Sequence, residues 1–427
     1  MKRFRRAWIV LFAGGAAASA LAQVGVPVPQ LPLPPLPGVV NDTLRTAQSP
    51  LTELRKLRVL ELLRRERATL EADPDGHPIE RRRVGALSPT PAALASARAA
   101  GFTLVSERAL DGLGLRVVVL EAPQGMSTRR ALRRMRSLDP QGQYDFVHLY
   151  LEGGAVQDAP APAPSATPAP GAPSESQAGA VARVGLIDSG VDGAHPALAG
   201  STIVRHGCDG RVLPAPHGTA VASLLAGDDG AFRGAHPRAT LYAADVFCGH
   251  GGGSIALLAV ALDWMAREQL PVVNISLVGA KSVLLTGLVR AMSARGHLLV
   301  AAVGNDGPAA PPLYPAAYAE VVGVTGVDAN DRVLPEACRG EHVDFAAPGA
   351  GIRAAQPGGG FAQVRGTSFA TPIVAGLLAG ALPAPDPAQA RQALEELAAS
   401  AVDLGRTGTD TTYGRGLVGG SLRAAGD

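Results

Sequence analysis

The chain is predicted to be an α/β protein. Residues 179–427 form a doubly wound, mainly parallel sheet with helices on both faces, preceded by a small α+β unit of ferredoxin-like pattern. Three observations predict this. VARVGLID, ATLYAADVF, PVVNISL, HLLVAAVG and VVGVTGV are unbroken apolar runs, as strands covered on both faces require. SIALLAVALDWMAREQ, VLLTGLVRAMSARG and SFATPIVAGLLAGAL stand between or after them and have helical length. Residues 81–153 alternate in the order β-α-β-β-α-β.

Taken in order, residues 1–22 read as a secretory signal peptide. Lys2, Arg3, Arg5 and Arg6 precede an apolar run over 7–21, and Ala20-Leu21-Ala22 offers a small-x-small cleavage site. The run is shorter than the roughly 20 residues of a bilayer span, and Gly14 and Gly15 interrupt it. Export with removal is therefore expected, to a periplasm or outside the cell. Residues 23–42 are Pro-rich and read as an extended spacer. Residues 43–72 predict an Arg-rich helix with Leu51, Leu54, Leu57, Leu60 and Leu63 on its packing face.

In the α+β unit, RRRVGALS is a strand, and TPAALASARAAG a helix opened by Thr90 with Pro91 at its first position. FTLVSERAL and LGLRVVVLEAP pair around Asp111-Gly112. STRRALRRMRSLD is a helix capped by Ser127, and YDFVHLYLEGG a last strand. The unit as a whole is placed at 43–153. Residues 154–178 are Ala/Pro/Ser low complexity and read as a linker before the α/β region.

Composition narrows the function. A net charge of +2 on 427 residues argues against a dedicated nucleic-acid binder. Three cysteines are too few for a disulfide scaffold, and no Cys/His cluster has zinc spacing. The charge is uneven: residues 41–150 carry a net +5 and residues 179–427 a net −4. The two halves are expected to attract each other.

Three motifs place chemistry at strand ends and helix starts. VGLIDSGVDGAHP sets Asp188 at the end of a buried strand, where open α/β sheets gather functional groups. HGTAVASLLAG sets His217, and GTSFATPIVAG sets Ser368, at helix starts, where free N–H groups and the positive dipole end lie. Singly, each has a plain reading: a turn aspartate, a packed histidine, an N-cap serine. A fourth motif, VAAVGNDGP, carries Asn305, which alone would be a turn former. Chance would have to supply all four in order.

Together these motifs resemble the subtilisin-like serine proteases, the subtilases, over about 180–420. The order Asp…His…Ser is the subtilisin order. The resemblance implies a subtilisin-like fold and a serine endopeptidase. Ser368 attacks the scissile carbonyl, His217 moves the proton, and Asp188 orients the imidazole. The Asn305 amide and the Ser368 N–H receive the oxyanion. NISLVG matches the family's substrate-lining strand and brings in Ser276, Leu277, Val278 and Gly279; the glycine run at Gly252 resembles the opposite edge of the groove. Val278 and Leu313 stand where the family commonly has glycine, so the pocket beside the cleaved bond is expected to be shallow and to prefer small residues. HGTAVAS also departs from the usual HGTHVAG at Ala220 and Ser223. Tyr314-Pro315 matches a position where the family's peptide bond is cis.

The resemblance further implies that Cys208 and Cys248, which follow neighbouring strands, pair in a disulfide and leave Cys338 free. No cofactor or metal ligand set is identified, and structural calcium rests on resemblance alone. The α+β unit resembles a subtilase propeptide, which implies an intramolecular inhibitor and self-cleavage between Leu151 and Ala180. The partners are then protein or peptide substrates and the propeptide, with no nucleic acid, no membrane span after signal removal, and a monomeric enzyme. Three other readings compete: a catalytically inactive secreted binding protein on the same fold, a serine-carboxyl peptidase, and a secreted structural protein. HGT and Asn305 argue against the second, and the third leaves the four motifs unexplained.

Overall fold

A computed structural model describes residues 50–160, 181–230 and 232–422, which fall within one unit. The expected signal peptide, the Pro-rich spacer and most of the linker lie outside the described residues.

The N-terminal module runs α1 (Pro50–Arg65), β1 (Leu70–Ala72), β2 (Pro78–Leu87), α2 (Pro91–Ala99), β3 (Thr103–Leu110), β4 (Leu115–Glu121), α3 (Thr128–Leu138) and β5 (Gln143–Glu152). The Thr90 hydroxyl accepts from Ala93 N–H with Pro91 at the first helical position, and Ser127 accepts from Arg130 N–H. Both caps are those the sequence predicts. The antiparallel order β5-β2-β4-β3 is the ferredoxin-like one. Val84, Ala86, Leu94, Phe102, Val118, Leu132 and Met135 form the core under α2 and α3.

Three expectations for this half change. The first helix stops at Arg65, and the residues after it turn into β1, which pairs with β2. Its buried face is also different. Leu57 and Leu60 are 57% and 60% exposed, while Val59 and Leu62 pack on Leu149 and Leu151 of β5. The helix packs on β5 together with Leu70 of β1 rather than on a broad core, so only part of its leucine row is buried. The predicted linker is also shorter at its start, because β6 (Ala155–Pro160) is a strand. Backbone pairing needs no apolar side chains, so low complexity did not forbid it.

The α/β module follows with β7 (Arg183–Asp188), β8 (Ile203–His206), α4 (Pro216–Ala226), β9 (Thr240–Asp245), β10 (Gly253–Ser254), α5 (Ile255–Arg267), β11 (Val272–Ile275), β12 (Leu277–Val278) and α6 (Val283–Ser293). It closes with β13 (Leu298–Ala302), β14 (Val321–Val327), β15 (Phe345–Pro348), β16 (Ala350–Ala355), β17 (Phe361–Arg365), α7 (Thr367–Ala381) and α8 (Pro387–Ala399). Seven strands form a parallel sheet in the order β15-β14-β13-β11-β7-β9-β8. Alternate strand residues face opposite layers: Ile187, Val273 and Leu299 pack on α5 and α6, and Leu186, Val272 and Val300 on α4 and α7. This is the predicted doubly wound α/β fold.

The N-terminal sheet lies on α5 and α6. Leu87, Leu110, Leu113, Val117, Val119 and Val147 share one apolar cluster with Leu258, Leu262, Leu284 and Leu288. An ion pair, Arg55–Asp306 at 3.1 Å, crosses the contact. Polar bonds join Gly112 N–H to Asp263 and the Arg295 guanidinium to Leu113 O. Among the described residues, no helix is long and apolar enough to cross a membrane.

Candidate active site

β7 is where the strand order of the sheet turns, and Asp188 is its last residue. His217 is the second residue of α4, so both reach the carboxyl end of the sheet. His217 Nδ1 lies 2.8 Å from Asp188 Oδ1, and both side chains are buried. The same oxygen accepts from the Ser189 N–H at 2.7 Å, which fixes the carboxylate. The Ser189 hydroxyl in turn accepts from Gly218 N–H at 3.1 Å. A methyl group at Gly218 would stand 2.2 Å from Ser189 O, so only glycine lets α4 begin this close to the turn after β7.

Ser368 is the second residue of α7 and is fully buried. Its hydroxyl lies 3.4 Å from Ser276 O, and its carbonyl accepts from the Ser276 hydroxyl at 3.0 Å. Ser276 thus ties the strand region to the start of α7. Ser368 and His217 are brought to one site but are not hydrogen-bonded to each other, and His217 Nε2 is buried without a partner. Asn305 completes the group. Its Oδ1 accepts from Thr367 N–H at 3.0 Å, which turns its Nδ2 inward as a buried donor with no partner.

The intact chain passes through this group. The end of β5 is paired on both edges: Gly253 and Ser254 stand opposite Tyr150 and Leu149, and Leu277 and Val278 opposite Glu152 and Leu151. β6 then pairs with β17, with Ala155 opposite Arg365. Gly153 and Gly154 bridge the two pairings beside Ser368. A methyl group at Gly153 would lie 2.7 Å from Ser368 Oγ, 3.6 Å from Val278 and 3.7 Å from Asn305 Nδ2. One at Gly366 would lie 3.3 Å from both Gly153 O and Asn305 Nδ2, so carbonyl and amide flank the same point.

The predicted groove residues fall along this strand. Gly252 faces Leu151 and the Tyr150 carbonyl, where a methyl group would approach to 3.0 and 3.3 Å. Gly279 exchanges two backbone hydrogen bonds with Tyr314, and the Tyr314-Pro315 peptide is cis. Leu313 is buried over Gly304 and shares a cluster with Val278. Cys208 and Cys248 are joined in a disulfide. Cys338 is buried and unoxidised, and burial pushes its thiol up to about 12.

The electrostatics centre on His217. Burial opposes its charge, but the Asp188 and Glu152 carboxylates outweigh that and raise it to about 9. Glu152, Asp188 and His217 bring ligand atoms within 4.8 Å of one another. A second group of metal-ligand types, Cys208, Asp245 and Cys248, has its sulfurs in the disulfide. Among the described side chains, neither group is the oxygen cage that calcium takes.

Sequence reasoning missed Glu152, Gly153 and Gly154 as members of the site. A Gly-Gly pair after an apolar strand was their one signal. It also missed Arg55, which reaches Asp306 next to Asn305.

An oriented imidazole, a hydroxyl at a helix start and an inward amide donor around a carbonyl are the parts of acyl transfer. Comparison with known proteins points the same way. The family model described as "Subtilase family" matches residues 179–416. The minor extracellular protease Epr of Bacillus subtilis is 35% identical over 206 residues, 47% of this chain and 32% of that protein. Subtilisin of Bacillus pumilus is 32% identical over 258 residues, 57% of this chain and 91% of that protein. The match thus spans about a third of the length of the first of these relatives. Fervidolysin from Fervidobacterium pennivorans, a keratinolytic enzyme related to subtilisin, has the same fold. Its TM-score is 0.66 at 22% identity, over 83% of this chain and 62% of that one. The fold, the four motifs at one site and the match over more than half its length together place this chain in the subtilase family.

Proposed function

We propose that the chain is an exported serine endopeptidase made as a precursor, and that its own catalytic groups cut it between Gly153 and Gly154. One observation carries the reading: the Gly153 carbonyl lies beside the unpartnered Asn305 amide and Ser368, with chain paired on both sides. In the reaction Ser368 Oγ attacks the Gly153 carbonyl carbon and its proton passes to His217 Nε2. Asn305 Nδ2 and the Ser368 N–H hold the oxyanion. The C–N bond then breaks, and His217 gives the proton to the Gly154 nitrogen. Water, deprotonated by His217, releases the acyl group and restores Ser368. A rotation of the Ser368 hydroxyl away from Ser276 O starts the sequence, since catalytic contacts of this kind tighten on the reaction path.

The N-terminal module is then an inhibitor that leaves its last strand in the groove. Val278 beside Gly153, with Leu313 in the same apolar cluster, supports a preference for small residues at the cut. Extracellular relatives and the Cys208–Cys248 disulfide support export, because such bonds persist in oxidising compartments.

The test is intact mass and N-terminal sequencing of the full chain against Ser368→Ala. A new N-terminus at Gly154, absent in the variant, is expected. Processing of the variant at the same bond sinks the self-cleavage reading. Labelling of Ser368 by a fluorophosphonate separates a protease from an inactive binding protein.

A further inference from the structure

We propose that the outer face of the N-terminal module is a docking surface for an anionic lipid membrane, formed by the arginines of α3 with Arg98 of α2. The partner is a plane of phosphate headgroups, and the role is to hold the uncut precursor at a membrane surface.

The N-terminal sheet has two covered faces. One, with Leu87, Val117, Val119 and Val147, packs on α5 and α6. The other, with Val84, Ala86, Val118 and Leu120, is covered by Leu94 and Ala97 of α2 and by Ala131, Leu132 and Met135 of α3. The two helices meet above the sheet and form an outer layer, on the side away from the α/β module.

That layer is uniformly basic. Every charged side chain on α2 and α3 is an arginine. Arg98, Arg129, Arg130, Arg133, Arg134 and Arg136 are all exposed. With about 3.6 residues per turn, the arginines of α3 spread over about half of the helix circumference, opposite the buried Ala131, Leu132 and Met135. Arg136 donates to Tyr144 O at 3.0 Å. Among the described residues, Arg129, Arg130, Arg133 and Arg134 have no acidic partner. The acids nearby are engaged elsewhere: Asp139 accepts from the Tyr144 hydroxyl at 2.8 Å, and Asp145 from Val283 N–H at 2.8 Å.

This arrangement is unfavourable without a partner. Arg129 and Arg133, and Arg130 and Arg134, stand one turn apart, where like charges repel and weaken a helix. A layer of phosphates relieves the repulsion, and guanidinium forks match phosphate oxygens. The exposed half of α3 holds no apolar side chain, because its apolar side is already used inside the module. Contact is therefore with headgroups, without insertion. On the export reading, the phosphate surface a precursor meets is a bilayer rather than a nucleic acid.

The test uses the Ser368→Ala precursor, recovered after export, and co-sedimentation with lipid vesicles. It should sediment with phosphatidylcholine vesicles containing about a quarter phosphatidylglycerol, and not with phosphatidylcholine alone. Binding should vanish at about 1 M salt, where screening leaves a range of about 3 Å. Replacing Arg129, Arg130, Arg133 and Arg134 together by Gln should weaken it by about a hundredfold or more. Replacing the same four by Lys, which keeps the charge, should retain most of it. Arg233, Arg339, Arg391 and Arg406 are exposed on the α/β module, and their combined replacement by Gln, an equal change in net charge, should leave binding intact. No sedimentation with the anionic vesicles overturns the proposal. So does an equal loss in the two Gln variants, or binding to a DNA duplex but not to vesicles. The assay needs no cleavage, so its failure leaves the protease reading standing.

Discussion

The Asp145 carboxylate of the N-terminal module accepts a hydrogen bond from the Val283 N–H of α6 at 2.8 Å. Ser282, at the N-cap position of that helix, makes no side-chain cap bond of its own. One module therefore supplies the missing cap of the other, at the end of the helix where the dipole favours negative charge. Asp145→Ala should destabilise the precursor by about 1 kcal/mol, the usual worth of an N-cap. Urea unfolding in a Ser368→Ala background measures it.

Processing should speed up as pH rises toward 9. His217 must be neutral to accept the Ser368 proton, and in the intact chain Asp188 and Glu152 hold its pKa at about 9 against burial. Glu152→Gln removes one of those charges, so its rate profile should shift to lower pH. The stability sign is opposite. A histidine raised above its ordinary value of about 6.5 stabilises the folded precursor fully below that pH. The contribution is lost as pH climbs through about 9. Equal profiles for wild type and Glu152→Gln would exclude this role of the carboxylate.

Gly153→Val should slow self-cleavage by about a hundredfold or more, because its first carbon already meets Ser368 Oγ at 2.7 Å. Asn305→Ala should cost about 10²–10³ in rate, the loss known for such a donor in subtilisin. Time courses of precursor loss on gels check both.

Cys208→Ser opens a covalent loop whose ends are 40 residues apart in sequence. Chain-entropy arguments put the loss at about 2–4 kcal/mol. Thermal unfolding with and without reductant should show the wild type, but not the variant, falling on reduction.

The parts of the site that were legible in the sequence are those fixed by local geometry. Gly218 is demanded by the close approach to Ser189 O, so HGT is a motif rather than an accident. The apolar strands were legible because both their faces are covered. What was not legible depends on distant partners. The register of Glu152 and Gly153 is set by Leu277 and Val278, more than 120 positions further along. The face of α1 was misread for the same reason. Its leucines have helical spacing, but the surface that decides which are buried is β5.

The pairing of β6 with β17 has a consequence for the timing of activation. On the self-cleavage proposed above, Gly154 begins the segment that stays joined to the α/β module, and β6 is still paired with β17 when the bond is cut. The freed amine is thus a tethered neighbour of the acyl-serine rather than a diffusing product, at a high effective concentration. It competes with water and can remake the bond it came from. Peeling of this short tail from the edge of β17, rather than bond breaking alone, then decides when the cut becomes permanent.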